Sequence, residues 1–135
     1  MYRAHTVSVG IACDPQKAYR YIADPTNFPH WAPGFAKSIE KQDAHWIAQT
    51  TLGQAKISFA PPNELGVLDH HVELPSGTFH NPMRVIPNAD GCEVMFTVFQ
   101  FTGVSDEQFR HDYETVDSDL RRLKEVLEHR YGSAV

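Results

Sequence analysis

Near the N-terminus, apolar and polar residues alternate with a period of two, which predicts a half-buried strand over residues 6–12. Asp14 and Pro15 then favour the start of a helix, because Asp14 can accept hydrogen bonds from free amides and a proline at the first helical position loses no intrahelical bond. This helix ends before Pro25, and Pro29 restricts a second helix to little more than one turn.

Between residues 31 and 102, short apolar segments are separated by residues typical of turns, such as Pro75, Ser76 and Gly77. Separators this short join neighbouring strands as hairpins, so the pattern predicts an antiparallel meander. The predicted strands cover residues 35–42, 45–52, 54–60, 66–74, 78–86 and 92–102.

The last segment changes to a period of three to four, which predicts one long amphipathic helix that begins after Ser105 and ends at Gly132. Its apolar stripe consists of Phe109, Tyr113, Val116, Leu120, Leu123 and Leu127. A curved sheet with one apolar face needs a cover, and this helix is large enough to provide it. We therefore expect one α+β domain over residues 1–135. It would have a seven-stranded antiparallel sheet curved around the C-terminal helix and two short helices after the first strand.

Composition narrows the classes of function. The chain of 135 residues has 12 basic and 17 acidic side chains, hence a formal charge of −5, and it lacks a basic cluster, which argues against nucleic-acid binding. The sequence shows no apolar run long enough for a membrane span or a secretory leader, so we expect a cytoplasmic protein without integral membrane association. No nucleophile, nucleotide or metal motif is recognisable, so we expect no cofactor and no metal.

Three segments resemble a known superfamily. They are residues 24–31 (DPTNFPHW), 63–70 (NELGVLDH) and 81–85 (NPMRV), the last followed by 91–97 (GCEVMFT). With the order of elements, they are similar to the SRPBCC superfamily of START, polyketide cyclase and Bet v 1-like proteins, and within it to small stand-alone bacterial members. The resemblance implies a helix-grip fold with a deep apolar cavity between sheet and helix. It fixes no reaction, because members include lipid carriers, hormone receptors, cyclases and co-chaperones.

The strand over residues 66–74 is the apolar segment richest in polar side chains. Alternation places His70 on the inner face, and a two-residue turn at Pro75 and Ser76 would place it opposite Asn81. A histidine and an amide in an apolar cavity can orient a ligand oxygen or exchange a proton. The alternative is a buried histidine whose hydrogen bonds are satisfied by the protein itself.

The same register places His71 opposite His80 on the outer face, near Asp69. Two histidines and a carboxylate can bind zinc, but a site needs three or four converging ligands with supporting contacts, so a polar surface is the preferred interpretation. Arg84 falls on the outer face too, where it would pair with Asp69 or Glu93. A slip of one residue would instead turn Arg84 inward, toward a ligand carboxylate.

Trp31 lies either in the core or at the rim of the cavity that the resemblance implies. Helical periodicity favours a core position for Tyr113 over a catalytic one. An acidic band on the same helix is expected to face solvent for the most part. It comprises Asp112, Glu114, Asp117 and Asp119. The candidate ligand-binding residues are Trp31, Phe35, Ile57, Phe59, Leu68, His70, Val72, Phe79, Asn81, Met83, Phe96, Tyr113 and Val116.

These features lead to three hypotheses. The first is binding of a hydrophobic small molecule with one or two oxygens, such as a polyketide-, sterol- or acyl-like compound. The second is a cyclase- or isomerase-type enzyme in which His70 is the general base and Asn81 donates to the oxyanion. The third is a homodimer formed through an apolar patch on the outer face of the last strand. This patch would consist of Met95, Phe99 and Phe101.

Cys13 and Cys92 are expected to lie beside each other without forming a disulfide. In a helix-grip sheet the first strand pairs antiparallel with the last, and a cytoplasmic chain keeps its thiols reduced. Both residues continue the apolar face of their strands, so both thiols should point inward as small hydrophobes.

Overall fold

The structure, a computed structural model, describes residues 1–132 of the chain. Within them, eight strands and three α-helices follow the predicted order, with a single 3-10 turn at Pro25–Asn27. The elements are β1 (Arg3–Ile11), α1 (Pro15–Ala23), α2 (Phe28–Trp31), β2 (Ala36–Gln42), β3 (His45–Thr50), β4 (Gly53–Phe59), β5 (His70–Leu74), β6 (Gly77–Asn81), β7 (Met83–Asn88), β8 (Gly91–Gln100) and α3 (Asp106–Tyr131).

Neighbouring strands pair antiparallel in the orders β1-β8-β7 and β2-β3-β4-β5-β6. The prediction of a curved antiparallel sheet with a long C-terminal helix is confirmed, but the number of strands differs by one. Residues 78–86, predicted as one strand, are divided at Pro82. The part before Pro82 pairs with β5, and the part after it pairs with β8.

Pro82 divides the strand because it lacks a backbone N–H. The Thr97 N–H donates to the Pro82 carbonyl over 3.0 Å, and proline has no N–H with which to complete the pair. The pairing with the preceding segment keeps one register across the break, since Val67 lies opposite Arg84 and His70 lies opposite Asn81. Residues 66–69, predicted as the beginning of a strand, form this single bridge, and the regular strand begins at His70.

The side chain of Asp69 replaces a hydrogen bond of the interrupted ladder. The Leu68 N–H donates to the Met83 carbonyl over 2.9 Å, but the Met83 N–H donates to Asp69 Oδ1, also over 2.9 Å, instead of to Leu68. Asp69 Oδ1 also pairs with the Arg84 guanidinium. Arg84 therefore takes the outward of its two predicted orientations, with Asp69 as its partner.

Helix α3 covers the concave face of the sheet. Ser105 caps its first turn, since the Gln108 N–H donates to Ser105 Oγ over 3.0 Å. The stripe residues Phe109, Leu120, Leu123 and Leu127 are buried, while Tyr113 and Val116 are half-buried. Burying four such side chains stabilises the fold by roughly 1.5–3 kcal/mol each, which fixes the helix on the sheet.

The first and last strands pair as predicted, but the register differs at the cysteines. Ile11, not Cys13, lies opposite Cys92. The reason is that β1 ends at Ile11 and the chain turns there, with the Cys13 N–H donating to the Ile11 carbonyl over 2.9 Å. Both cysteines are free and buried, which confirms that the thiols point inward. Burial raises the pKa of Cys92 to about 11, so this thiol stays protonated and unreactive at neutral pH.

Asp69→Ala should destabilise the protein by about 1–3 kcal/mol, because the buried Met83 N–H loses its acceptor. Arg84→Ala removes only the half-exposed cation of the same pair and should cost less than about 1 kcal/mol. Urea denaturation of both variants measures the difference. Equal losses would show that the ion pair, and not the backbone hydrogen bond, is the stabilising contact.

Candidate functional site

A groove of about 380 Å³ opens beside α1, over strands β3 and β4. Trp46 and Ile57 are cross-strand partners, and alternation puts Phe59 on the same face as Ile57, so three large apolar side chains line one wall. The other lining residues are Tyr19, Ala23, Pro25, Ala44, His45, Ser58, Ala60, Pro62 and Leu68. Most of the lining residues are thus apolar, although polar and apolar atoms share the exposed surface of the groove almost equally.

Asn63 shapes the loop at one end of the groove. Its Oδ1 accepts from the N–H groups of Leu65 and Val67, and its Nδ2 donates to the carbonyls of Pro61 and Val67. The Asn63 N–H donates to the Tyr19 hydroxyl over 3.0 Å, which ties the loop to α1. The first residue of the segment NELGVLDH therefore has a structural role.

The superfamily resemblance implies a cavity between the sheet and α3, and the groove described above lies beside α1. Side chains are tightly packed beneath the C-terminal half of α3. Leu120, Leu123 and Leu127 have no exposed surface, and neither do Met83 and Val94 on the sheet. The groove lies where Tyr19 and Ala23 of α1 and residues of nearby loops border the surface of β3 and β4.

His70 lies directly behind the groove and is 1% exposed. The rings of Phe59, Phe96 and Phe28 surround it, with centroids 5.0, 5.5 and 6.0 Å from the imidazole. Of these three rings, Phe59 also lines the groove. Phe59 is the cross-strand partner of His70, so one aromatic side chain separates the histidine from the groove.

The hydrogen bond of His70 determines its tautomer. Nδ1 lies 3.1 Å from the Leu68 carbonyl oxygen, which can only accept, so the ring proton is on Nδ1 and Nε2 carries a lone pair. Burial lowers the pKa of His70 to about 4, so the imidazole is neutral at pH 7. His70 is therefore a buried hydrogen-bond acceptor behind an apolar groove.

Trp31 is part of the core rather than of the rim, since it is 1% exposed. Within residues 1–132 its indole Nε1 is buried without a hydrogen-bond partner. Its ring packs against Phe28, with centroids 5.0 Å apart, and Phe28 also contacts His70. An unpaired buried donor costs free energy, and such groups often belong to functional sites.

The structure divides the candidate ligand-binding residues into three groups. Ile57, Phe59 and Leu68 line the groove. His70, Trp31, Val72, Met83 and Phe96 are buried in the adjoining core. The remaining five are half-buried elsewhere: Phe35 in the turn before β2, Phe79 and Asn81 on β6, and Tyr113 and Val116 on α3. The sequence missed Tyr19, Ala23 and Trp46, although Trp46 follows from alternation because it pairs with Ile57.

On the outer face, the predicted register is confirmed. His71 lies opposite His80, and His80 Nδ1 is 3.2 Å from His71 Nε2. Asp69 is engaged by the Met83 N–H and by Arg84. No group of three His, Cys, Asp or Glu side chains suited to a metal ion occurs in the described part of the chain.

The predicted apolar patch on the last strand is partly covered by the chain itself. Phe101 packs edge-on against Phe79 and against Tyr2, with centroids 5.1 Å apart in both pairs. Phe99 also contacts Tyr2 and Phe101. Because these rings are half-buried within one chain, the homodimer stays a prediction.

Tyr113 lies beside a second groove, also of about 380 Å³, between β1 and α3. Its ring stacks on His5 with centroids 3.9 Å apart and meets the edge of Phe109. Glu114 and Asp117 line this groove with backbone and side chains of β1. Its surface is more polar and more open than that of the groove beside α1.

Asp119 departs from the predicted solvent-facing band. It is 7% exposed, and its Oδ1 accepts from the Gly34 N–H over 3.1 Å, which ties the loop after α2 to α3. Burial raises the pKa of Asp119 to about 6. Its position, three residues after Val116 and four before Leu123, is the signal that could have identified it.

Comparison with known proteins gives a family and a fold. The family model described as polyketide cyclase/dehydrase and lipid transport matches residues 3–128. No curated protein matches the sequence. No helix within residues 1–132 has the length and hydropathy needed to cross a membrane.

Three solved structures share the fold at low identity. A START superfamily protein from Mycobacterium smegmatis aligns with a TM-score of 0.70 at 12% identity, over 96% of this chain and 99% of that protein. The Aha1 dimer from Colwellia psychrerythraea gives 0.74 at 14% identity, over 93% and 96%. Ara h 8.0201 gives 0.72 at 10% identity, over 96% and 99%. At such identities the likeness shows the fold alone.

His70→Gln should change how stability responds to acid. Between pH 6.5 and about 4 the unfolded histidine binds a proton that the folded one does not, so stability falls as the pH falls. Relative to the variant, the wild type should lose up to about 3 kcal/mol over this range. Urea denaturation at several pH values measures it, with His71→Gln on the exposed face as the control. A wild type and a His70→Gln variant with parallel profiles would contradict the neutral state of His70.

Asp119→Asn should have the opposite effect on how the stability of the protein depends on pH. The pKa of Asp119 is about 6 in the folded protein and 3.8 in the unfolded chain. The contribution of Asp119 to stability therefore falls as the pH rises from 3.8 to about 6. At pH 7 the variant should be more stable than the wild type by about 1–3 kcal/mol, and the difference should shrink toward pH 4. Glu114→Gln, exposed on the same helix, is the control. A difference that does not vary with pH would rule out this titration.

Proposed function

Because the chain belongs to the polyketide cyclase/dehydrase and lipid transport family, we propose that it binds a hydrophobic small molecule in the groove beside α1. The observation that carries the proposal is the groove itself, about 380 Å³ in volume and walled by Trp46, Ile57 and Phe59. Binding sites for small molecules are typically apolar clefts of this size with a small number of polar groups.

The chemistry of the groove suits a polyketide-, sterol- or acyl-like compound. One wall offers three large apolar side chains, and Tyr19, His45 and Ser58 supply polar atoms. No side chain that lines the groove is an Asp, Glu, Lys or Arg, which disfavours a strongly charged ligand. The ligand would therefore be held mainly by apolar burial.

Binding is preferred to catalysis because of the state of His70. A general base at neutral pH is most effective when its pKa lies near 7. Burial lowers the pKa of His70 to about 4, so its lone pair is a weak base although it remains a good acceptor. Asn81 lies opposite His70 in the register and is half-buried, but this arrangement serves positioning of a ligand better than proton abstraction.

Titration with the apolar dye ANS tests the proposal. Wild-type protein should show saturable fluorescence enhancement. Ala23→Phe should weaken ANS binding by about tenfold or more, because Ala23 lines the groove and the larger ring occupies it. Ala4→Phe, on the exposed part of β1, is the matched control and should leave binding unchanged.

The thermal midpoints of both variants are measured alongside, so that a loss of binding is not confused with unfolding. The proposal fails if ANS binding to the wild type is not saturable. It fails equally if Ala23→Phe and Ala4→Phe, both folded, bind ANS as the wild type does.

A further inference from the structure

We propose that the molecule bound in the groove carries a hydroxyl group that donates a hydrogen bond to His70 Nε2. This inference rests on the proposed function, because it specifies which polar group the hydrophobic ligand must present. It distinguishes phenols and alcohols from ethers, ketones and hydrocarbons of the same shape.

The direction of the hydrogen bond follows from the partner of Nδ1. The Leu68 carbonyl occupies the Nδ1–H, since the two atoms are 3.1 Å apart and a carbonyl only accepts. That carbonyl is available because the Met83 N–H, its natural partner in the ladder, donates to Asp69 instead. Nε2 can therefore accept a hydrogen bond and cannot donate one. A carbonyl or ether oxygen also lacks a proton, so its lone pair would face that of Nε2 without forming a hydrogen bond.

Within residues 1–132, His70 forms a side-chain hydrogen bond through Nδ1 and none through Nε2. Aromatic rings of Phe28, Phe59 and Phe96 pack around the imidazole at 5.0–6.0 Å between centroids, and none carries an O–H or N–H. A buried acceptor in such a cage gains most from a partner that brings its own proton.

The route from the groove to Nε2 passes Phe59. This ring lines the groove, pairs with His70 across β4 and β5, and is half-buried rather than fully packed. Phe28 and Phe96 are buried and lie away from the groove lining. The proposed contact requires the Phe59 side chain to rotate, because Phe59 is the ring that the groove lining and the cage around His70 share.

Competition with ANS by 2-naphthol and 2-methoxynaphthalene tests the inference, because the two compounds differ in the O–H donor and both keep an oxygen acceptor. The preference for 2-naphthol, expressed as the ratio of dissociation constants, should be about tenfold greater for the wild type than for His70→Leu. His70→Gln supplies an amide oxygen that can accept the same hydrogen bond, so it should keep part of the preference that His70→Leu loses. His71→Leu, on the outer face, should keep the wild-type ratio.

Imidazole ¹⁵N NMR of the wild type provides a second readout that does not need a variant to fold. The free protein should show the Nδ1–H tautomer of His70, and 2-naphthol, unlike its methyl ether, should shift the Nε2 resonance. A proton on Nε2 in the free protein overturns the inference, as does an equal naphthol preference in wild type and folded His70→Leu. If ANS and both naphthalene compounds fail to bind at all, the proposed function itself fails.

Discussion

Pro82 cannot donate a hydrogen bond, and the structure around the candidate site follows from that gap in the sheet. The Thr97 N–H donates to the Pro82 carbonyl, but Pro82 has no N–H to donate to Thr97 in return. On the two sides of this gap, β6 pairs with β5 and β7 pairs with β8. Asp69, opposite Pro82 in the register, takes the Met83 amide, and the Leu68 carbonyl is left to hold the imidazole of His70. The missing N–H of Pro82 thus lies next to a series of three hydrogen bonds that ends at His70. They are Thr97 to Pro82, Met83 to Asp69, and His70 to Leu68.

The strand register could be predicted from the sequence, because it depends on the alternation of side chains and on the length of the turn. The pairing of His70 with Asn81 and of His71 with His80 followed from alternation and a two-residue turn, and both pairs are present. The superfamily resemblance and the helix-grip fold are confirmed by the family match and the solved structures. These features were accessible because side-chain alternation is a local property of the chain.

The remaining features depend on how elements meet in space. The break at Pro82 was readable in principle, since a proline in a paired strand removes a ladder bond, but the apolar pattern continues across it. The position of Asp119 on the apolar stripe of α3 is readable from the sequence, but its hydrogen bond with the Gly34 amide depends on how a distant loop approaches the helix. The groove beside α1 depends on how α1 and the loops after it meet β3 and β4, which no single periodic segment determines.

The pairing of β1 with β8 also constrains how the molecule is made. Thr6 and Thr97, whose hydroxyls meet across these strands, are 91 residues apart. On the ribosome, β1 has no strand partner until β8 emerges, about 5–20 s later at ordinary rates of synthesis. Through that interval the backbone N–H and C=O groups of β1 are unpaired, and such groups can pair with another chain. Closing so long a loop late also makes folding of this sheet slow relative to a helical domain of the same length.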